Sequence, residues 1–330
     1  MAATKRINKY DNLKGLAIIL IVLGHLDYLN VINPFHLSRF FFLIDLPIFF
    51  FVAGYFSKIA PDQPLKSFKR LMIPYFLFCF LIELFRFLYT GSSDWDLIFI
   101  QSSMAMWFLI SLFIMKMILP ILDKLKYPII ITFIIALLFG VYDFNPNYLA
   151  LTRTFSYLPI FLFGFYFNRY MEDFSKAYGK LYGFFDRHFK LIVLAVCLVT
   201  VVVVFKFNGK FFVFKDPYSG NLLYEAIKKG IVLVLEIAWM VILNRIMTNK
   251  DCFLTKIGRN SMAVYVLHPF IYYIFKPIWP VMITSDVISI VLSIVLTAIT
   301  VFVLSRDFVT KYLNMIVDGI FNIFFRPSSL

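Results

Sequence analysis

The sequence predicts an all-α integral membrane protein of about ten transmembrane helices, with both termini cytoplasmic and an amphipathic helix lying in the membrane interface at the C-terminal end. Three observations predict it. The 330 residues are 61% hydrophobic and only 15% charged, whereas soluble domains run near half and a quarter. The apolar residues gather into runs close to the ~20 residues that cross a bilayer as a helix. Finally, 23 of the 32 Lys and Arg residues fall in the two terminal segments and in alternate connections between those runs, the bias that keeps such segments in the cytoplasm. No polar block is long enough for a separate soluble domain, so residues 1–330 read as one membrane domain.

In order, the spans are expected near 13–31, 40–57, 71–89, 97–119, 127–142, 154–168, 189–206, 228–247, 261–280 and 286–305. The first follows Lys5, Arg6, Lys9 and Lys14. Its apolar run is too long for a signal-peptide core and no small-residue cleavage site follows it, so it reads as a retained helix. The fifth and sixth are short, with the turn signal Asn145-Pro146-Asn147 between them. One outer stretch runs against the charge bias: residues 206–229 carry Lys206, Lys210, Lys215, Lys228 and Lys229. It reads equally as a solvated loop or as a region near an anionic substrate. Beyond the tenth span, Phe308, Val309, Tyr312, Leu313, Ile316, Val317, Ile320, Phe321 and Phe324 fall on one stripe, with Lys311, Asn314, Asp318 and Asn322 off it. That pattern predicts an interfacial helix over about 307–325.

Composition also excludes function classes. The net charge of +13 sits in short loops, where it sets topology and meets anionic lipid, and no soluble module presents it to nucleic acid. Cys79, Cys197 and Cys252 form no motif, and no His/Cys cluster has metal-ligand spacing, so no metal site is expected. Phosphate-binding and serine-hydrolase signatures are absent from the sequence.

Chemistry is sought among the ionisable residues inside the spans, because each is costly to hold in a bilayer. They are His25, Asp45, Glu83, Arg86, Glu236 and His268. Lys14 and His25 are eleven residues apart, which at ~100° per residue returns to within about 20° of one helix face and separates them by ~16 Å. Lys14 is thereby placed at the cytoplasmic mouth and His25 past the midplane. Asp45, near the outer end of the second span, is expected at similar depth. It reads either as the partner that orients His25 or as a helix cap ahead of Pro47.

The run Tyr10-Asp11-Asn12-Leu13-Lys14-Gly15 through Leu23-Gly24-His25 resembles the opening of the acyltransferase-3 family of membrane O-acetyltransferases, with Lys14 and His25 on its basic-x10-His signature. Leu46-Pro47-Ile48-Phe49-Phe50-Phe51-Val52-Ala53-Gly54-Tyr55 is similar to the family's second-helix signature. Arg70-Leu71-Met72-Ile73-Pro74-Tyr75, Met106-Trp107-Phe108-Leu109 and Gly258-Arg259-Asn260-Ser261-Met262 through His268 follow in family order. The nearest likeness is to the stand-alone fucose 4-O-acetylase-like branch. Three positions depart: Ser67 stands where an arginine is usual, Asp45 where many members carry His, and Ala53 where Ser is frequent.

The resemblance implies a multi-pass protein of the cell membrane that moves an acetyl group from acetyl-CoA to a sugar hydroxyl of a surface or capsular polysaccharide or its lipid-linked precursor. His25 is then the expected general base and Asp45 its companion. Lys14, Lys66, Lys69 and Arg70 are the expected partners of the CoA phosphates, and Trp107, Asn260, Ser261 and Arg153 the candidates for holding substrate or oxyanion. A transporter or flippase for a lipid-linked sugar is the rival; it would show inverted repeats, and no likeness between the two halves is detectable.

Overall fold

The computed structural model describes residues 6–27, 37–91, 95, 98–101, 104–141, 148–177, 179–279 and 285–326. It is 80% helical, and among the described residues the only extended pairing is an isolated bridge between Gln101 and Tyr148. The helices are α1 (Asn8–Asp27), α2 (Leu37–Phe42), α3 (Asp45–Tyr55), α4 (Gln63–Ser67), a π-helical turn (Phe68–Met72), α5 (Ile73–Thr90), α6 (Trp107–Leu122), α7 (Pro128–Leu138) and α8 (Leu151–Ala177). There follow α9 (Gly179–Arg187), α10 (Phe189–Lys206), α11 (Lys210–Val213), α12 (Leu222–Ile246), α13 (Phe253–Arg259), α14 (Ser261–Phe275), α15 (Asp286–Leu304) and α16 (Asp307–Phe324).

Four helical stretches are long and apolar enough to cross a membrane: 37–55, 63–90, 189–206 and 287–304. Helices α6, α7 and α14 are shorter but equally apolar, while α1, α8 and α12 are 20, 27 and 25 residues long with polar groups within them. The expectation of plain, continuous spans is corrected in three places. The second span is broken at Leu43–Ile44, immediately before Asp45. The third opens with a π-helical turn that holds Lys69 and Arg70. The fourth begins at Trp107 rather than near residue 97, because Ala105 takes a left-handed conformation (φ 68°) that a helix cannot continue. The Asn145-Pro146-Asn147 turn lies outside the described residues.

Close helix crossings fix the bundle. Gly54 on α3 meets the Phe161 carbonyl of α8, and Gly164 on α8 meets the Phe51 carbonyl of α3; a β-carbon at either would collide with backbone. The same holds for Gly15 against Leu254 and Gly258 against Asp11, where α1 crosses α13. Asn12, fully buried, locks that second crossing. Its Nδ2 donates to the carbonyls of Thr248 (2.8 Å) and Lys250 (3.1 Å), and its Oδ1 accepts from Thr255 Oγ1 (2.6 Å).

These contacts define two ends. One holds the start of α1, the α12–α13 connection, the π-helical turn and α16; the other holds the end of α1, the starts of α6 and α8, and α11. At the first end the tail helix divides its apolar stripe. Leu313, Val317 and Phe321 pack on the protein, and Phe308, Tyr312, Met315, Ile316 and Ile323 are exposed. At ~100° per residue these are adjacent sectors of one wide apolar face, the geometry of a helix wedged between a protein and a membrane surface.

Candidate active site

Helix α1 runs unbroken from Asn8 to Asp27, so Lys14 and His25 keep the shared face read from their spacing. His25 is partly accessible and stacks on the ring of His268 from α14, centroids 5.3 Å apart and planes 24° apart. His268 is 2% exposed, and its Nδ1 lies 3.2 Å from the Val264 carbonyl. That contact requires the proton on Nδ1, which leaves Nε2 as an acceptor; Nε2 is buried with no hydrogen-bond partner. The ring of Tyr265 lies 5.8 Å from His268, and its hydroxyl donates to the Ala105 carbonyl, the residue with the left-handed turn.

Arg153, on the first turn of α8, lies over the indole of Trp107 at 4.5 Å, and its charge acts on His25. Its Nε has no hydrogen-bond partner among the described residues. Trp107 in turn stacks near Tyr157 (6.2 Å), and Tyr157 on Phe50 (4.8 Å). Two candidates on distant parts of the chain, Trp107 and Arg153, are thus brought together within reach of the histidine pair. Left-handed non-glycine residues cluster at this end: Ala105 before α6, Leu149 and Ala150 before α8, and Phe214 after α11. Each such residue costs on the order of 1–3 kcal/mol and persists only where its surroundings hold it.

Asp45 and His25 form no hydrogen bond or ion pair, which corrects the expected carboxylate–imidazole pairing. The break at Leu43–Ile44 makes Asp45 the first residue of α3, fully buried, with Oδ1 accepting the Leu46 amide at 2.5 Å and Oδ2 unpartnered. Its electrostatic neighbours are Glu236, Tyr157 and Tyr265 rather than His25. The alternative reading, a helix start ahead of Pro47, is met in position: α3 begins at Asp45, whose Oδ1 accepts a first-turn amide, although Ile44 is the residue at the cap. Glu236, completely buried on α12 with both oxygens unpartnered, is the second acid of this interior.

Asn260 and Ser261 do not join the cluster. Asn260 donates to the Ser305 carbonyl and to Asp307 Oδ1, both at 2.8 Å, and so ties α16 to the start of α14. Ser261 lies seven residues before His268, ~10 Å along the helix. Asn260 thus has a structural role at the far end, and Ser261 starts α14 at that same end, away from the histidine pair.

The basic residues expected to hold phosphate do collect at the end of the bundle that carries the N-terminus, in two groups. Lys14 pairs with Asp11 (2.8 Å), which also accepts from Arg6 (2.6 Å) and faces Arg259 (3.7 Å). Burial would raise the Asp11 carboxyl, but its bonds to Arg6 and Lys14 hold it below the usual carboxylate range. In the second group Lys66 pairs with Asp62, and Lys69 with Asp318 of the tail (2.9 Å), over the Phe321 ring (4.8 Å). Arg70 is exposed and forms no ion pair among the described residues. Lys116, counted from sequence only as a topology charge, adds a fourth cation that acts electrostatically on Arg70 and donates to Ser57 Oγ (2.8 Å).

A bundle of apolar helices with histidines, an arginine and acids enclosed in its interior has the make-up of a membrane protein. The chain belongs to the acyltransferase-3 family: residues 7–306 match the family model described as an acyltransferase domain. No curated protein and no solved structure matches the chain. The match covers α1 to the end of α15 and leaves only the tail helix outside it.

Proposed function

We propose that this membrane acyltransferase moves an acetyl group from acetyl-CoA to a sugar hydroxyl of a surface or capsular polysaccharide or its lipid-linked precursor, with His25 as general base. The observation that carries the reading is the stacked His25–His268 pair beside Arg153, ~16 Å along α1 from the cation-rich end. The N-terminal end is the cytoplasmic one in this reading, as the loop charges favour. Arg70, with Lys69, Lys66 and Lys14, receives the phosphates of CoA there, and the pantetheine arm extends inward along α1.

His25 takes the proton of the acceptor hydroxyl as its oxygen attacks the thioester carbonyl. Arg153, with an unpartnered Nε, offsets the charge that develops on the carbonyl oxygen. The tetrahedral intermediate collapses with departure of the CoA thiolate, which recovers the proton from the imidazolium. A second reading makes His268 the base, and the free Nε2 of its fixed tautomer favours it. Purified protein in lipid nanodiscs, supplied with labelled acetyl-CoA and with surface glycan from cells lacking the gene, is expected to release CoA and add label to the glycan. Intact acetyl-CoA, together with unchanged glycan masses in cells with and without the protein, would contradict it.

A further inference from the structure

The strongest unexplained feature outside this site is Lys229. It sits on the first half of α12 at 3% exposure, yet among the described residues it forms no ion pair and no hydrogen bond. Its Nζ faces the rings of Phe214 (5.3 Å) and Tyr218 (5.8 Å). Its neighbour Lys228 shows the contrast, resting on the Tyr224 ring (4.0 Å) and facing Glu225 (3.8 Å). Glu225 is already held by Lys210 (2.5 Å), which with Lys228 keeps its carboxyl low against the opposing effect of burial. Glu236 acts on Lys229 only at a distance, two turns deeper and ~10 Å along the helix.

Lys229 and Lys210 line one small open pocket with Phe211, Phe214, Tyr218 and, at the exposed rim, Asp216. The walls are fixed in advance. The Tyr218 hydroxyl donates to the Leu137 carbonyl and its amide to the Gly140 carbonyl, both at 2.7 Å, and its ring fills the space a β-carbon on Gly140 would need. Phe214 holds its left-handed backbone (φ 46°) in the same wall. Asp216 and Arg153 interact electrostatically, so the pocket neighbours the arginine of the histidine cluster, at the end of the bundle away from Lys69 and Arg70.

A desolvated lysine without an ion-pair partner among the described residues is expensive to keep charged between fixed aromatic rings, and an anion bound there would offset that cost. From this geometry we infer that the pocket is an acceptor subsite, in which Lys229 binds an anionic group, a phosphate or carboxylate, carried on the saccharide. The pocket, about 10 Å³ in volume, admits a single anionic oxygen toward Lys229; the sugar stays at the mouth, where Asp216 takes a hydroxyl. That the bound saccharide is the acetyl acceptor rests on the reading above; the anion recognition does not.

The test uses purified protein in phosphatidylcholine nanodiscs, with glucose 1-phosphate, methyl glucoside and acetyl-CoA as probes, and compares the native chain with Lys229→Met and Lys229→Gln. The native chain binds glucose 1-phosphate, both variants lose about tenfold or more of that affinity, and binding of methyl glucoside and acetyl-CoA stays as it was. Without ligand, Lys229→Met melts at the native temperature or above, since an unpaired buried charge has been removed. Equal binding of glucose 1-phosphate by native and variant chains, no binding by the native chain, or a lower melting temperature in both variants would overturn the inference. So would loss of glucose 1-phosphate binding in phosphatidylglycerol nanodiscs, which would assign the pocket to a lipid headgroup. Selective loss in the variants from a chain that transfers no acetyl group upholds the pocket and removes the acetyl-transfer reading alone.

Discussion

At the N-terminal end, Asp11 is shared by Arg6, Lys14 and Arg259, Asn12 bonds the α12–α13 connection and α13 through both its Nδ2 and its Oδ1, and Asn260 holds the tail. In the middle and at the opposite end the pattern reverses. Asp45 Oδ2, both oxygens of Glu236, Arg153 Nε and His268 Nε2 are buried without partners, and Lys229 has only aromatic faces. Unpartnered buried atoms occur at the first end too, at Asn244 Oδ1 and Thr310 Oγ1, but those on the ionisable groups Asp45, Glu236, Arg153 and His268 all lie in the middle and at the opposite end, and these are the costly ones to explain. The contrast teaches that polar residues in one helix bundle serve two ends. Where they satisfy each other they hold the helices in register; where they do not, their bonding capacity is available to a substrate.

The sharpest way to break that comparison is to alter one residue of each kind. Arg153→Met is expected to lower acetyl transfer at least ~100-fold, the scale of a lost oxyanion donor, with little change in melting temperature. Arg153→Lys should recover little, because an ammonium cannot reproduce the flat stacking of the guanidinium on Trp107. Steady-state kinetics with thermal melting checks both. Asn12→Ala makes the opposite forecast. It strands two carbonyls and the Thr255 hydroxyl at the α1–α13 crossing, at about 1–3 kcal/mol for each buried group left unsatisfied. A clear drop in melting temperature is expected, with acetyl-CoA binding weakened only through misfolding.

A smaller effect separates the cations of the mouth. Arg70→Ala should raise the KM for acetyl-CoA about tenfold, since a free guanidinium gives its whole charge to the ligand. Lys69→Ala should raise it less, because Lys69 first has to leave Asp318. Equal KM values in both variants and the native chain would reduce this end to a topology signal.

Much of this was legible from sequence where tertiary structure leaves the chain alone. Helix α10 runs from Phe189 to Lys206 as expected, because its residues face outward and answer only to hydropathy. The tail is legible for the same reason, from its stripe. The start of α6 was not, since Ile98, Phe99, Ile100, Met104 and Met106 are apolar like the helix after them, and the turn before it is made at Ala105, whose carbonyl the distant Tyr265 holds. His25 stood out through its spacing from Lys14, a signal internal to one helix. Its neighbours are long-range, so neither the His268 stack nor the withdrawal of Asp45 toward Glu236 could be read from local pattern. Asn12 was visible only as part of a motif; nothing local showed that it joins three segments.

The central claim is that the buried, unpartnered ionisable groups of the interior mark the chemical site, and His25 beside them tests it most directly. The measurement is acetyl transfer and melting temperature, taken together, for His25→Gln. Glutamine fills much of the imidazole's volume beside His268 but has no basic nitrogen. The account predicts a loss of transfer of about 100- to 10,000-fold at nearly unchanged melting temperature and acetyl-CoA binding. A His25→Gln chain that transfers acetyl at close to the native rate would contradict it.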